Sequence, residues 1–60
     1  DDAVNSLAAH NPRLAEVFAL KFFIGLSDDE LVAATGVTKR TAQRDWMKAR
    51  AFIGEYLSDA

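Results

Sequence analysis

No cysteine occurs among the 60 residues, which excludes disulfides, thiolate metal sites and thiol nucleophiles. Histidine occurs once, at His10, near an expected helix end. There a capping or solvated role suits it better than catalysis. No phosphate-binding loop or nucleophile motif is present either, so an enzyme is not expected, and neither is a cofactor. Proline occurs once and glycine three times, leaving few places for the chain to break. No apolar run approaches the roughly 20 residues of a membrane span, and no signal peptide is visible. A cytoplasmic protein with no membrane partner is the expectation. Alternation of apolar and polar residues is nowhere long enough for a strand.

What is present is a foldable, helix-patterned chain. Half of the residues are hydrophobic, many of them alanine, so disorder is not expected. Sixty residues make one domain, 1–60, which buries only about 60% of its unfolded surface. That leaves room for one small core and for no enclosed catalytic cavity. The first residue is Asp1, which points to a domain excised from a longer chain. Seven basic residues stand against nine acidic ones, a balance unlike that of a nonspecific nucleic-acid binder. Their distribution is polarised. Residues 1–37 carry two basic and six acidic side chains, whereas residues 38–50 carry five basic ones and one acid, Asp45.

Spacings of three and four between apolar residues read as helix throughout. Val4, Leu7 and Ala8 define a first helix over about 2–9. Asn11 caps a second and Pro12 opens it, since the missing N–H of proline needs no partner there. Leu14, Val17, Phe18 and Phe22 continue this helix until Gly25 ends it in the left-handed conformation. Ser27 to Glu30 reads as a capping box. Asp28 and Asp29 add favourable charge at the positive end of the dipole of a short third helix, about 28–35. Gly36 makes a turn, Thr38 caps, and a last helix runs over about 39–57. The expected fold is all-α: a small four-helix domain whose last two helices form a helix-turn-helix.

On a wheel of about 100° per residue, Ala42, Trp46, Ala49, Ile53 and Tyr56 share one sector of the last helix, with Leu57 at its edge. This sector is the expected core stripe. Arg40, Arg44, Met47 and Ala51 lie opposite. Gln43 and Lys48 flank them, and Thr41 borders the face. Arginine can donate twice to guanine, glutamine can pair with adenine, and threonine can meet a thymine methyl or a phosphate. Lys39 and Lys48 suit phosphates, which position a helix without specifying sequence. The first turns of a second helix are where base edges are reached in such a motif. The residue types and their placement therefore point to duplex DNA.

The stretch "LSDDELVAATGVTKRTAQRDWMKAR" resembles region 4 of sigma-70 family sigma factors, especially the extracytoplasmic-function (ECF) group. Leu26-Ser27, Glu30-Leu31, Gly36-Val37-Thr38, Arg40-Thr41, Arg44-Asp45-Trp46 and Ala49-Arg50 carry the match. Upstream, Asn11-Pro12-Arg13 and the run from Val17 to Phe23 extend it. Val32 stands where the family usually has alanine, Thr35 where it has leucine, Ala42 where it has valine and Lys39 where it has proline. The resemblance implies recognition of the promoter −35 element by the last helix and contact with the flap of the RNA polymerase β subunit. An anti-sigma factor is a further candidate partner. The DNA contacts it implies are Lys39, Arg40, Thr41, Gln43 and Arg44, with Thr38 and Lys48 on phosphates.

Two other readings remain open from the residues alone. A LuxR-type output domain shares the four-helix plan. A protein-interaction module would use Phe22, Phe23 and Ile24, which cannot all point into one core. The expectation for these three is core plus helix end, with one of them exposed. Asp28, Asp29 and Glu30 read as helix-start charge, not as a metal site. Asp45 is expected to pair locally with Arg44 or Lys48, or to trim nonspecific DNA affinity.

Overall fold

The structure, a computed structural model, describes residues 2–58; of the expected 1–60 domain, residues 1, 59 and 60 lie outside the described residues. Four α-helices follow one another: α1 (Asp2–His10), α2 (Pro12–Phe18), α3 (Asp28–Thr35) and α4 (Lys39–Ser58). No strand occurs among the described residues. A single residue joins α1 to α2. The Asn11 N–H donates to the Leu7 carbonyl at 2.7 Å, closing α1. Its side chain then accepts from the N–H groups of Arg13 and Leu14, opening α2. Asn11 and Pro12 thus act as the sequence indicates.

Beyond Phe18 the helix changes type. Ala19–Ile24 form a π-helical segment, and Gly25 closes it at φ 87°, with the Gly25 N–H donating to the carbonyl five residues back, Leu20, at 3.0 Å. Uninterrupted α-helix was the expectation. The wider π turn brings Phe22 and Phe23 both against Phe18, the first stacked at 5.2 Å and the second edge-on at 6.1 Å. It also leaves all three residues of the apolar run outside the core: Phe22 is 64% exposed, Phe23 58% and Ile24 67%. The expectation that most of this run is buried is therefore corrected.

Two small clusters make the core. Leu7, Leu14, Ala15, Phe18 and Ala49 join α1, α2 and α4. Val17, Leu31 and Ala42 join α2, α3 and α4. Trp46 packs against both, and its ring stacks on Phe18 at 5.6 Å. Val32, expected to be bulkier than the residue the resemblance puts there, packs against the cluster that holds the fully buried Ala42, expected to be smaller. The two departures offset each other in volume.

The buried positions of α4 are Ala42, Asp45 and Ala49. Tyr56 and Leu57, expected in the core stripe, are exposed. All of residues 54–58 are exposed, because the last turns of the 20-residue α4 outrun the shorter helices beneath. Asp45 is only 2% exposed and pairs with neither Arg44 nor Lys48. Its partner is Arg13 on α2, whose Nη2 donates to Oδ1 at 3.1 Å. Arg13 Nε also lies 3.0 Å from Oδ2, but its N–H is not aimed well enough to make a second hydrogen bond. The guanidinium side is more than half exposed while the carboxylate is dry, so the energetic weight lies on keeping the carboxylate paired.

Arg13→Met strands that carboxylate and is expected to cost about 1–3 kcal/mol. Adding Asp45→Leu removes the stranded charge and is expected to recover most of the loss. Urea unfolding followed by the single tryptophan, Trp46, measures both. A double variant less stable than Arg13→Met alone contradicts the pairing.

Candidate nucleic-acid interface

The local sequence builds this surface from α3 onward. Ser27 and Glu30 close the capping box: the Glu30 N–H donates to Ser27 Oγ at 3.2 Å, and the Ser27 N–H donates to Glu30 Oε1 at 2.9 Å. Gly36 ends α3 at φ 78°, a conformation that side chains with a Cβ resist. Val37 seals the turn against the second core cluster. Thr38 Oγ1 then accepts from the Thr41 N–H at 3.2 Å and donates to Thr41 Oγ1 at 3.0 Å. The turn between α3 and α4 is thus three residues long, 36–38.

The seven residues singled out from the sequence all lie at this cap or on the first half of α4, and they divide into three groups. Arg40, Arg44 and Lys48 are exposed and form no ion pair with another described residue. Spaced by four, they make a stripe spanning about 12 Å along the helix. Thr38 and Thr41 are engaged with each other in the cap. Lys39 and Gln43 reach back to the start of α3. Lys39 Nζ lies 3.6 Å from Asp29 Oδ1, and Gln43 Nε2 donates to Asp28 Oδ2 at 3.1 Å.

Asp28 is the residue that sequence reasoning passed over. Its other oxygen accepts from Lys21 Nζ at 2.7 Å, so one carboxylate links the π segment, α3 and α4. The bond from Lys21, then that from Gln43, holds its carboxyl below the ordinary value of 3.8. Read along the chain, Asp28 is one of three acids at a helix start. Its partners lie seven and 15 residues away and come into reach only when α3 and α4 fold back across the turn.

A second surface lies elsewhere on α4. Phe22, Phe23, Trp46, Ile53 and Leu57 line most of an open apolar groove of about 440 Å³, with Arg50 at its edge. The Lys21 ammonium and the Arg50 guanidinium lie 5.8 and 5.7 Å from the Trp46 ring centroid, within cation–π range. No helix among the described residues is long and apolar enough to cross a membrane, and these residues contain no cluster suited to a metal.

The described residues thus form a small all-α domain with a basic, solvent-facing helix start after a tight turn. The chain belongs to the ECF sigma factor family, whose model matches residues 1–59. Sigma factors act in transcription initiation, and the LuxR-type alternative gives way. No curated protein and no solved structure matches the chain.

Glu30 is also held below its ordinary value of 4.5, by the Ser27 N–H first and the Ser27 hydroxyl second. Carboxyls lowered in the fold stabilise it above their unfolded values, and that contribution is lost as pH falls through the lowered ones. The melting temperature is therefore expected to stay level between about pH 7 and 5 and to fall below about pH 4.5. Glu30→Gln is expected to flatten the acid-side fall, because the side chain at that position then no longer titrates while its amide oxygen can still accept from the Ser27 N–H. An unchanged fall in thermal melts across this range contradicts the role given to the box.

Proposed function

We propose that this chain is region 4 of its sigma factor and that it reads the promoter −35 element, with α3, the 36–38 turn and α4 acting as a helix-turn-helix. One observation carries the reading. On an acidic chain, Arg40, Arg44 and Lys48 form a solvent-facing stripe at the start of the helix that follows a three-residue turn. Arg40 and Arg44 are assigned to base edges, as arginine suits guanine O6 and N7. Lys39, Lys48 and the hydroxyls of Thr38 and Thr41 are assigned to phosphates, and Gln43 to a base. With about four basic contacts the counterion-release contribution is small and strongly salt-dependent. Affinity of the chain alone is modest, and polymerase supplies the rest. Such a factor works in the cytoplasm.

The polymerase contact is assigned to the aromatic groove, with the flap of the β subunit as its occupant. Two neighbouring side chains of the π segment, Phe22 and Phe23, line it and stand more than half exposed, and burying them against a partner is favourable by the usual apolar-area argument. On the wheel of α4 the groove positions 46, 53 and 57 and the basic stripe 40, 44 and 48 lie roughly 150° apart. DNA and polymerase can therefore bind together. An anti-sigma factor covering either face would block one of the two.

Arg40→Ala and Arg44→Ala are each expected to weaken binding to promoter duplex about tenfold or more, whereas Lys48→Ala is expected to lower the salt slope by about one. Fluorescence anisotropy against salt reads both quantities, and binding that survives the double arginine change sinks the DNA assignment. Phe22→Ser with Phe23→Ser is expected to leave DNA affinity intact and to weaken binding to core polymerase about tenfold or more. Unaltered holoenzyme assembly in a competition assay removes the groove from the interface.

A further inference from the structure

Asp28 holds more than the start of a helix. A glutamine side chain reading DNA has an ambiguity that arginine lacks. Its carbonyl oxygen accepts and its amide nitrogen donates, and rotation by half a turn exchanges the two. A freely rotating Gln43 could offer its donors to guanine or its donor–acceptor pair to adenine. Here the exchange is blocked. An ionised carboxylate only accepts, so the Gln43 group facing Asp28 Oδ2 at 3.1 Å has to be the NH2. The carboxylate itself is held from its other side by Lys21 Nζ at 2.7 Å, on a helix start closed by the Ser27–Glu30 box.

We propose that Asp28 is a positioning residue that sets base specificity. By fixing one amide orientation of Gln43, it makes that side chain select a base whose major-groove edge carries an exocyclic amine. The inference rests on the DNA-reading role of α4. With one N–H given to Asp28, Gln43 keeps its Oε1 acceptor and one remaining N–H. That pair matches the N6 amine and N7 of adenine, and the acceptor alone matches the N4 amine of cytosine. Guanine offers only the acceptors N7 and O6 at the same edge. Gln43 can meet them with its one remaining N–H only, leaving its oxygen beside the second acceptor, unless it turns and loses the bond to Asp28.

The test is selection from a duplex library randomised over the upstream promoter element, using holoenzyme assembled from core polymerase and the full-length protein. Variants are Asp28→Ala, Gln43→Ala and the two together. The natural protein is expected to prefer adenine over guanine about tenfold at one position, and Gln43→Ala is expected to erase that preference. Asp28→Ala is expected to erase it at the same position while raising affinity for all sequences, because an acid has left the DNA face. In the Gln43→Ala background the Asp28 change is expected to alter no base preference. Should Asp28→Ala not fold, Asp28→Asn serves. With its oxygen on Lys21, its amide faces Gln43 and turns the glutamine carbonyl inward, moving the preference toward guanine.

A Gln43-dependent preference that survives both Asp28 variants overturns the inference and leaves the DNA reading standing. So does a natural preference for guanine at that position. A natural protein that enriches no sequence overturns the DNA reading and the inference with it.

Discussion

The molecule depends on a carboxylate placed between two alanines. Ala42, Asp45 and Ala49 are the buried positions of α4, and α2 closes on them. The alanines permit close approach but say little about register, because small side chains slide easily. The carboxylate supplies the register. It is dry, and its hydrogen bond comes from Arg13 on α2, so a slip or rotation of α4 leaves it unpaired at a cost of about 1–3 kcal/mol. In a domain this small that is a large share of the total stability. Everything α4 presents to solvent is referenced to this pair, from the Arg40 stripe on one side to the aromatic groove on the other.

Trp46 stands next to Asp45 and joins the two halves of the core. It packs on the cluster beneath α1 and on the cluster beneath α3, and stacks on Phe18. The floor of the groove is the outer side of the stack that positions α4. The π segment matters for the same reason: its wide turn gathers Phe22 and Phe23 around Phe18 without sinking them into the core.

Much of this was legible along the chain, and what was missed has a common cause. The caps are local chemistry. Asn11-Pro12, Ser27 with Glu30, Gly36 and Thr38 mark helix ends whose hydrogen bonds span only a few residues. The exposed basic positions at the start of α4 follow from the wheel and the turn. Asp45 borders the apolar sector of that wheel, beside Tyr56. The signal for a buried acid was present, but its partner lies 32 residues back, a distance no periodicity spans. Asp28 was missed on the same ground. The π segment leaves little trace, since an apolar run such as Phe22-Phe23-Ile24 fits α-helix equally well by composition. Tyr56 and Leu57 kept the period of the core stripe but lay past the reach of the helices that would cover them. Periodicity reports which side of a helix a residue is on and not whether anything stands opposite.

The most direct test of the account is to map amide NMR shifts of the chain while a duplex carrying its promoter upstream element is added at low salt. The account predicts shifts concentrated on residues 38–48, vanishing as salt rises, with Phe22, Phe23 and Ile24 undisturbed. Shifts centred on the aromatic groove, or none at residues 38–48, would contradict it.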